Sequence, residues 1–330
     1  VSTPQPELFP LSPRTLPAAE VPAADVATAA QLSPSVRLGT MTWSYPGWVG
    51  TVYATKATAT DLANVGLTAY VKHPLLRAVE IDRTYYEPVP AHALRALADQ
   101  TPDDFRFVVK AHEDCVVTRF PLHARYGKKK GEANPRYLDA AYTAGAVVEP
   151  FVEGLGSKGG ALLFQFPPRA IDQPQAFARE LHEFLTRLPK GVCYAVELRN
   201  PELLTHDYAD ALNDAGAIHC HSSWTTMPSV IAQAKRIPPS ARNPLLVRWL
   251  LRPGETYEVA GARYAPFDRL VDEDPARREA IARLVDQCDQ HGVPAIVLVD
   301  NKAEGCAPKS IARLARALVE RASMRGAGQD

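Results

Sequence analysis

The sequence predicts an α/β fold, a (β/α)8 barrel of the TIM type, on three observations. From Val36 onward, short apolar runs alternate with amphipathic stretches at a spacing of roughly thirty to forty residues, the pattern of parallel strands joined by helical crossovers. Eight such runs are present, and eight strands with their helices close a barrel of about 250 residues. Ionisable residues recur at the C-terminal ends of the runs, where barrel enzymes place their chemistry. An open doubly wound sheet is the alternative that shares the same alternation.

Residues 1–34 are rich in Pro and Ala, and Pro4, Pro6, Pro10, Pro13, Pro17, Pro22 and Pro34 stand against long helices or central strands. This segment is expected to be an irregular extension, followed by the barrel domain at 35–323 and a short tail at 324–330. The first strand, 36–40, alternates Val36 and Leu38 with Arg37 and then breaks at Pro46-Gly47 into a loop dense in aromatics. Seven more strands are expected at 76–81, 105–110, 161–166, 192–198, 217–221, 245–250 and 294–299. Helical periodicity fills the intervals near 61–72, 89–99, 135–153, 174–187, 206–215, 275–290 and 309–322. Only the interval 222–244 is weakly helical.

Composition narrows the function classes. The 330 residues are 46% hydrophobic, enough for a sizeable core, and Lys+Arg and Asp+Glu are equal at 37 each, so no global field draws the chain to nucleic acid or membrane. No apolar run approaches the ~20 residues of a spanning helix. Five cysteines, odd in number, widely spaced and without a Cys-x-x-Cys pair, argue against a disulfide framework or a thiolate zinc site. A cytoplasmic location is expected, and the N-terminus lacks the charge-then-apolar pattern of a signal peptide.

Reading only the strand ends collects a polar set. Glu80 and Asp82 close the second strand, Lys110 and His112 the third, Gln165 the fourth, Glu197 and Arg199 the fifth and His221 the sixth, while Arg248 stands in the seventh and Asp300-Asn301 ends the eighth. Charges left buried and unpaired are expensive, so these groups are expected to converge on one mouth. Glu80 and Glu197 are the acid/base pair of this set, with Lys110 and His112 as further catalytic candidates. The plainer reading has Glu80 neutralised by Lys110, and Glu197 by Arg199 or Arg248. Trp43, Tyr45 and Trp48 supply either one wall of a ligand site or a hydrophobic staple. Gln165, Arg199, His221, Arg248 and Asn301 complete the ligand-binding set.

A second patch lies in the third βα loop, where Arg119, Arg125, Lys128, Lys129, Lys130 and Arg136 cluster around His123 and Tyr126, with Glu132 the one acid among them. Cations interleaved with aromatics suit phosphates and bases, although a Lys triplet is also the ordinary make-up of a solvated loop tip.

Several ordered motifs resemble the YecE-like family, domain of unknown function 72: Gly39-Thr40 with Trp43-Ser44-Tyr45, Trp48 and Tyr53; Val79-Glu80-Ile81-Asp82 with Tyr85-Tyr86; Phe107-Val108-Val109-Lys110-Ala111; Leu163-Phe164-Gln165-Phe166-Pro167-Pro168; Val196-Glu197-Leu198-Arg199-Asn200-Pro201; and Asn301 with Ala307-Pro308. The resemblance runs from about Val36 to Leu318. It implies a TIM-type barrel similar to the xylose-isomerase and endonuclease-IV group, with nucleic-acid processing suggested by structural analogy and no established reaction. The chain departs from the family pattern in two places. Arg248-Trp249-Leu250-Leu251 replaces the usual Arg-x-His-Gly, and His221 stands where an acid is usual.

The function expected is binding or processing of a phosphate-bearing ligand, with nucleic acid among the candidates, by acid/base chemistry, without a resident cofactor. A non-catalytic binding protein using the same mouth is the first alternative. A divalent-metal hydrolase or isomerase is the second, since Glu80, Glu197, His112, His221 and Asp300 are of metal-ligating types but lack ligand spacing on any helix.

Overall fold

The computed structural model describes residues 15–326. Its centre is a closed barrel of eight parallel strands in sequential order: β1 Val36–Thr40, β2 Ala78–Ile81, β3 Arg106–Lys110, β4 Gly159–Gln165, β5 Tyr194–Glu197, β6 Ile218–Ser222, β7 Leu245–Trp249 and β8 Ala295–Val299. The sheet closes where β1 runs alongside β8 from Val36↔Ala295 to Thr40↔Val299. A closed barrel leaves no strand edge unpaired, which rules out the open doubly wound sheet.

Strand parity decides what faces inward. Ala78, Val108, Leu163, Ala195, Cys220, Leu246 and Leu298 pack together as one apolar cluster inside the barrel, separate from the larger core between strands and helices. Side chains alternate with a period of two, so the next inward residues towards the C-terminal ends are Glu80, Lys110, Gln165, Glu197 and Arg248. The barrel is thus apolar at its middle and ionic at its upper end. Small inward residues such as Ala78 and Ala195 sit beneath long ones, leaving room for the guanidinium and carboxylates to meet across the axis.

The crossover helices follow the expected periodicity, with Pro174–Arg187, His206–Ala215 and Pro275–Gln290 as clear cases. Two of these open with proline in the first turn, where its missing N–H costs nothing. The weakly helical interval contains one short helix, Val230–Arg236, and the loop after β7 adds an unexpected one, Tyr257–Tyr264.

The terminal expectations need correction. Ala23–Gln31 is a helix, not irregular chain, because it fits between Pro22 at its N-cap and Pro34 beyond its end and is built largely of alanine. It packs on the last helix, Ala307–Gly326, through a 2.7 Å contact between Arg316 and the buried Asp25. That last helix also passes the boundary drawn at residue 324. Residues 1–14 of the extension, and 327–330 of the tail, lie outside the described residues.

Candidate functional site

Arg248 is the hub of the upper barrel. It projects from β7 and is 3% exposed, yet it touches residues of β2, β4 and β5, which only a side chain crossing the barrel interior can do. Nε and Nη2 donate in parallel to the two oxygens of Glu80, each at 2.9 Å. Nη1 donates to Glu197 Oε2 and, at 3.1 Å, to Gln165 Oε1. Arg199 completes the ring, donating from Nε to Glu197 Oε1 at 3.1 Å and from Nη2 to Gln165 Oε1 at 2.8 Å. Lys110 pairs with Asp82 and lies 3.7 Å from Glu80.

The environments of the two glutamates differ although both are buried. Burial raises Glu80 above the ordinary carboxylate value, outweighing Arg248 and Lys110, which pull it down. Glu197 feels the same burial, but Arg248, Arg199 and Lys110 together overcome it and hold the group below its usual value. Burial works against the charge on Arg248, and the two carboxylates more than restore it, so the guanidinium is held firmly protonated. The plainer reading of these acids, each neutralised by a neighbouring cation, describes the contacts well, with Arg248 rather than Lys110 as the main partner of Glu80.

Above this floor opens a cavity of about 530 Å³ at the C-terminal mouth, within the range of small-molecule sites. Its walls are aromatic. Tyr45 and Trp48 come from the first βα loop, Tyr85 and Tyr86 from the second, Trp224 from the sixth and Tyr257 from the seventh. Trp48 donates from Nε1 to Asn301 Oδ1 at 3.0 Å, which also accepts from the Ala307 amide at 2.9 Å, so the first loop is pinned to the start of the last helix. Three wall cations each lie over a ring: Lys110 over Tyr85 at 5.3 Å, Arg199 over Trp224 at 3.7 Å and Lys302 over Tyr257 at 3.9 Å. Such stacking holds long side chains in one orientation and lowers the entropy lost when they meet a ligand. Asp300 caps the turn by accepting from the Lys302 amide at 2.8 Å and from the Tyr257 hydroxyl at 3.2 Å.

Of the expected site residues, Glu80, Lys110, Gln165, Arg199, Arg248, Tyr45, Trp48 and Asn301 come together around this cavity. Others do not. Glu197 has no exposure and lies below the floor behind the two arginines, so it faces them rather than the cavity. His112 sits past the end of β3 and turns to Tyr142, whose hydroxyl is 2.8 Å from Nδ1, and to Asp114. His221 has the opposite parity to Cys220 and points out of the barrel towards the Ile237 carbonyl at 3.2 Å; burial holds its pKa down to about 3. Trp43 belongs to the core, where its Nε1 donates to the Leu62 carbonyl at 3.0 Å. Lys128, Lys129 and Lys130 are exposed on an outlying turn and do not line the cavity. That turn touches the rim through Arg125, which stacks on Tyr86 at 4.7 Å and pairs with Glu113.

Sequence reasoning missed Trp224, Tyr257 and Lys302. Trp224 follows β6 by two residues, the same signal that marked the aromatics after β1, and Lys302 directly follows the strand-end pair Asp300-Asn301. Tyr257 opens a helix in a loop where no helix was expected. Among the described residues, no group of three or more His, Cys, Asp or Glu is arranged to hold a metal ion, because the oxygens of Glu80 and Glu197 face Arg248 and Arg199 instead.

The sequence pattern of the family described as "Protein of unknown function DUF72" matches residues 37–329. The chain belongs to the DUF72 family. Its barrel is similar to that of a DUF72 family protein from Enterococcus faecalis V583, with 18% identity and a TM-score of 0.57 over 86% of this chain and 95% of the other. A DUF72 family protein from Thermotoga maritima MSB8 is similar at 18% identity and a TM-score of 0.56, over 86% of this chain and 99% of that one. Identities at this level carry the shared fold and nothing about ligands. No curated protein matches the sequence.

Proposed function

We propose that the mouth binds a small ligand bearing a phosphate or comparable anionic group on a flat or polyhydroxy body, and that Glu80 exchanges a proton with it. The observation that carries this reading is the trio of ring-stacked cations. Lys110, Arg199 and Lys302 each have an acidic neighbour on one side and the cavity on the other, so their remaining donors are aimed at whatever enters. The aromatic walls offer faces for a base or a sugar ring. Glu80 is the proton-exchanging member of the pair, since it alone of the two glutamates lines the cavity and burial raises its pKa; Glu197 acts through Arg248 and Arg199 as a positioning residue.

A non-catalytic binding protein is the second reading, favoured by the way Arg248 occupies both oxygens of Glu80. A divalent-metal reaction needs those oxygens free, so it is the weaker reading of this mouth. The five cysteines are all unpaired, which supports a reducing, cytoplasmic setting.

The test is a titration of nucleotides, sugar phosphates and their unphosphorylated counterparts into the full chain, wild type beside Lys302→Ala and Glu80→Gln. Binding that requires the phosphate and weakens in Lys302→Ala supports the reading. Turnover lost in Glu80→Gln with binding retained separates enzyme from binding protein, and equal binding of phosphorylated and unphosphorylated compounds overturns the anion site.

A further inference from the structure

The helix after β6, Val230–Arg236, has seven residues, whereas the neighbouring helix Pro275–Gln290 has sixteen. At 1.5 Å per residue, the first falls about 13 Å short of the second. The connection that continues towards β7 carries Pro238, Pro239 and Pro244 and cannot extend the helix. The C-terminal turns of the longer helix therefore lose part of their cover, and a cavity of about 470 Å³ opens beside them. It lies among residues leading into β7 and β8, at the end of the barrel opposite the mouth.

Its chemistry is one-sided. Leu284, Cys288 and Val293 are buried and form an apolar floor, and burial pushes the Cys288 thiol up to about 11, so it stays protonated and packs as an apolar group. Lys235, Arg283 and His291 stand exposed at the rim, and no Asp or Glu among the described residues lines the cavity. In a chain whose acids and bases balance at 37 each, an apolar cleft with an all-basic rim selects for charge as well as for greasiness.

We propose that this cavity binds a small amphipathic anion, a medium-chain carboxylate whose alkyl chain lies on Leu284, Cys288 and Val293 and whose headgroup meets Lys235 and Arg283. The volume falls within the roughly 300–1,000 Å³ of small-molecule pockets, and the pairing of an apolar floor with a basic rim matches a single-headed ligand better than a polyanion. The site is independent of the reading of the mouth.

The experiment is isothermal titration of decanoate, below its micelle-forming concentration, into the full chain, with decyltrimethylammonium as the control of equal chain length. Decanoate is expected to saturate one site while the ammonium compound does not. The double variant Lys235→Ala/Arg283→Ala is expected to weaken binding by about fivefold, since both headgroup contacts are exposed ion pairs. Ala234→Trp, at a half-buried lining position, fills the cleft and is expected to remove binding while the thermal midpoint and circular dichroism stay as in the wild type. Absence of saturable decanoate binding, equal binding of the ammonium compound, or binding retained in Ala234→Trp overturns the proposal. So does a wild-type dimer that Ala234→Trp dissociates, because the face then belongs to a second copy of the chain.

Discussion

Arg248 grips Glu80 with two parallel hydrogen bonds of 2.9 Å across the inside of the barrel, from β7 to β2. The fork is rigid, planar and buried, and the same guanidinium reaches Glu197 and Gln165, so one side chain ties four strands together. Replacing it with an apolar residue leaves buried Glu80 with only Lys110 at 3.7 Å and buried Glu197 with only Arg199. Arg248→Met is therefore expected to lower stability by about 3–5 kcal/mol in urea unfolding. Arg248→Lys keeps the charge but loses the fork, and is expected to fall between the two. A methionine variant as stable as wild type shows that the ring is not what holds the upper barrel closed.

The β1–β2 seam makes a sharper structural prediction. Gly39 lies beside Ala78 in register, and a Cβ added to it would sit 1.9 Å from the Ala78 carbonyl oxygen, a backbone atom that cannot swing aside. The Tyr70 hydroxyl is wedged into the same seam, accepting from the Thr40 amide at 3.1 Å and donating to the Ala78 carbonyl at 2.9 Å. Gly39→Ala must push the two strands apart and break these contacts. A loss of at least about 1–3 kcal/mol is expected, read as a lower thermal midpoint; a variant as stable as wild type shows that the seam can open at no cost.

Acid sensitivity is expected from the buried histidines behind β6. Gln233 fixes the tautomer of His219: its amide nitrogen donates to the Ser222 and Pro228 carbonyls at 2.7 Å each, which turns its oxygen towards His219 Nε2 at 3.1 Å, and the Tyr208 hydroxyl takes Nδ1 at 2.9 Å. Burial lowers His219 from 6.5 to about 4, and burial with the adjacent His219 lowers His221 from 6.5 to about 3. The unfolded chain therefore takes up protons below pH 6.5 that the folded chain refuses. Stability is full above that pH and falls as pH drops towards 4, by about 1.4 kcal/mol per unit for each such group. Denaturant titrations at pH 7.5, 6, 5 and 4 are expected to show His221→Leu gaining on wild type at each step down; parallel curves contradict the assignment.

The barrel was legible because its signal is repeated: eight apolar runs at regular spacing leave few alternatives, and Val36–Thr40 is bounded in the structure where the alternation bounds it in the sequence. Strand parity, which a list of strand ends does not apply, explains why Glu80, Lys110, Gln165 and Arg248 meet. What strand-end reading blurred was direction. His221 is adjacent to the inward Cys220 and so faces outward, and His112 lies beyond the last paired residue, where parity no longer applies. Trp43 and Trp48 are five residues apart in one loop and both indoles are buried in the core, yet only Trp48 also borders the mouth, a difference set by tertiary partners Leu62 and Asn301 that no local pattern encodes.

The basic mouth and the basic third βα loop can be separated by mutation. Lys110 and Lys302 line the mouth over aromatic rings, whereas Lys128, Lys129 and Lys130 stand outside it on a turn linked to the rim through Arg125 and Tyr86. A small phosphorylated ligand held in the mouth is expected to lose about tenfold or more in affinity with Lys110→Ala or Lys302→Ala, each removing a charge-assisted hydrogen bond. The triple change of Lys128, Lys129 and Lys130 to Ala is expected to leave that affinity unchanged, because water and salt screen an exposed charge that makes no direct contact. For an oligonucleotide the expectation reverses: each lysine that touches a phosphate contributes about 0.9 to the slope of log affinity against log salt, so the triple variant flattens the slope measured by fluorescence anisotropy. A triple variant that loses the small ligand, with Lys110→Ala binding as wild type, moves the anion site from the mouth to the loop.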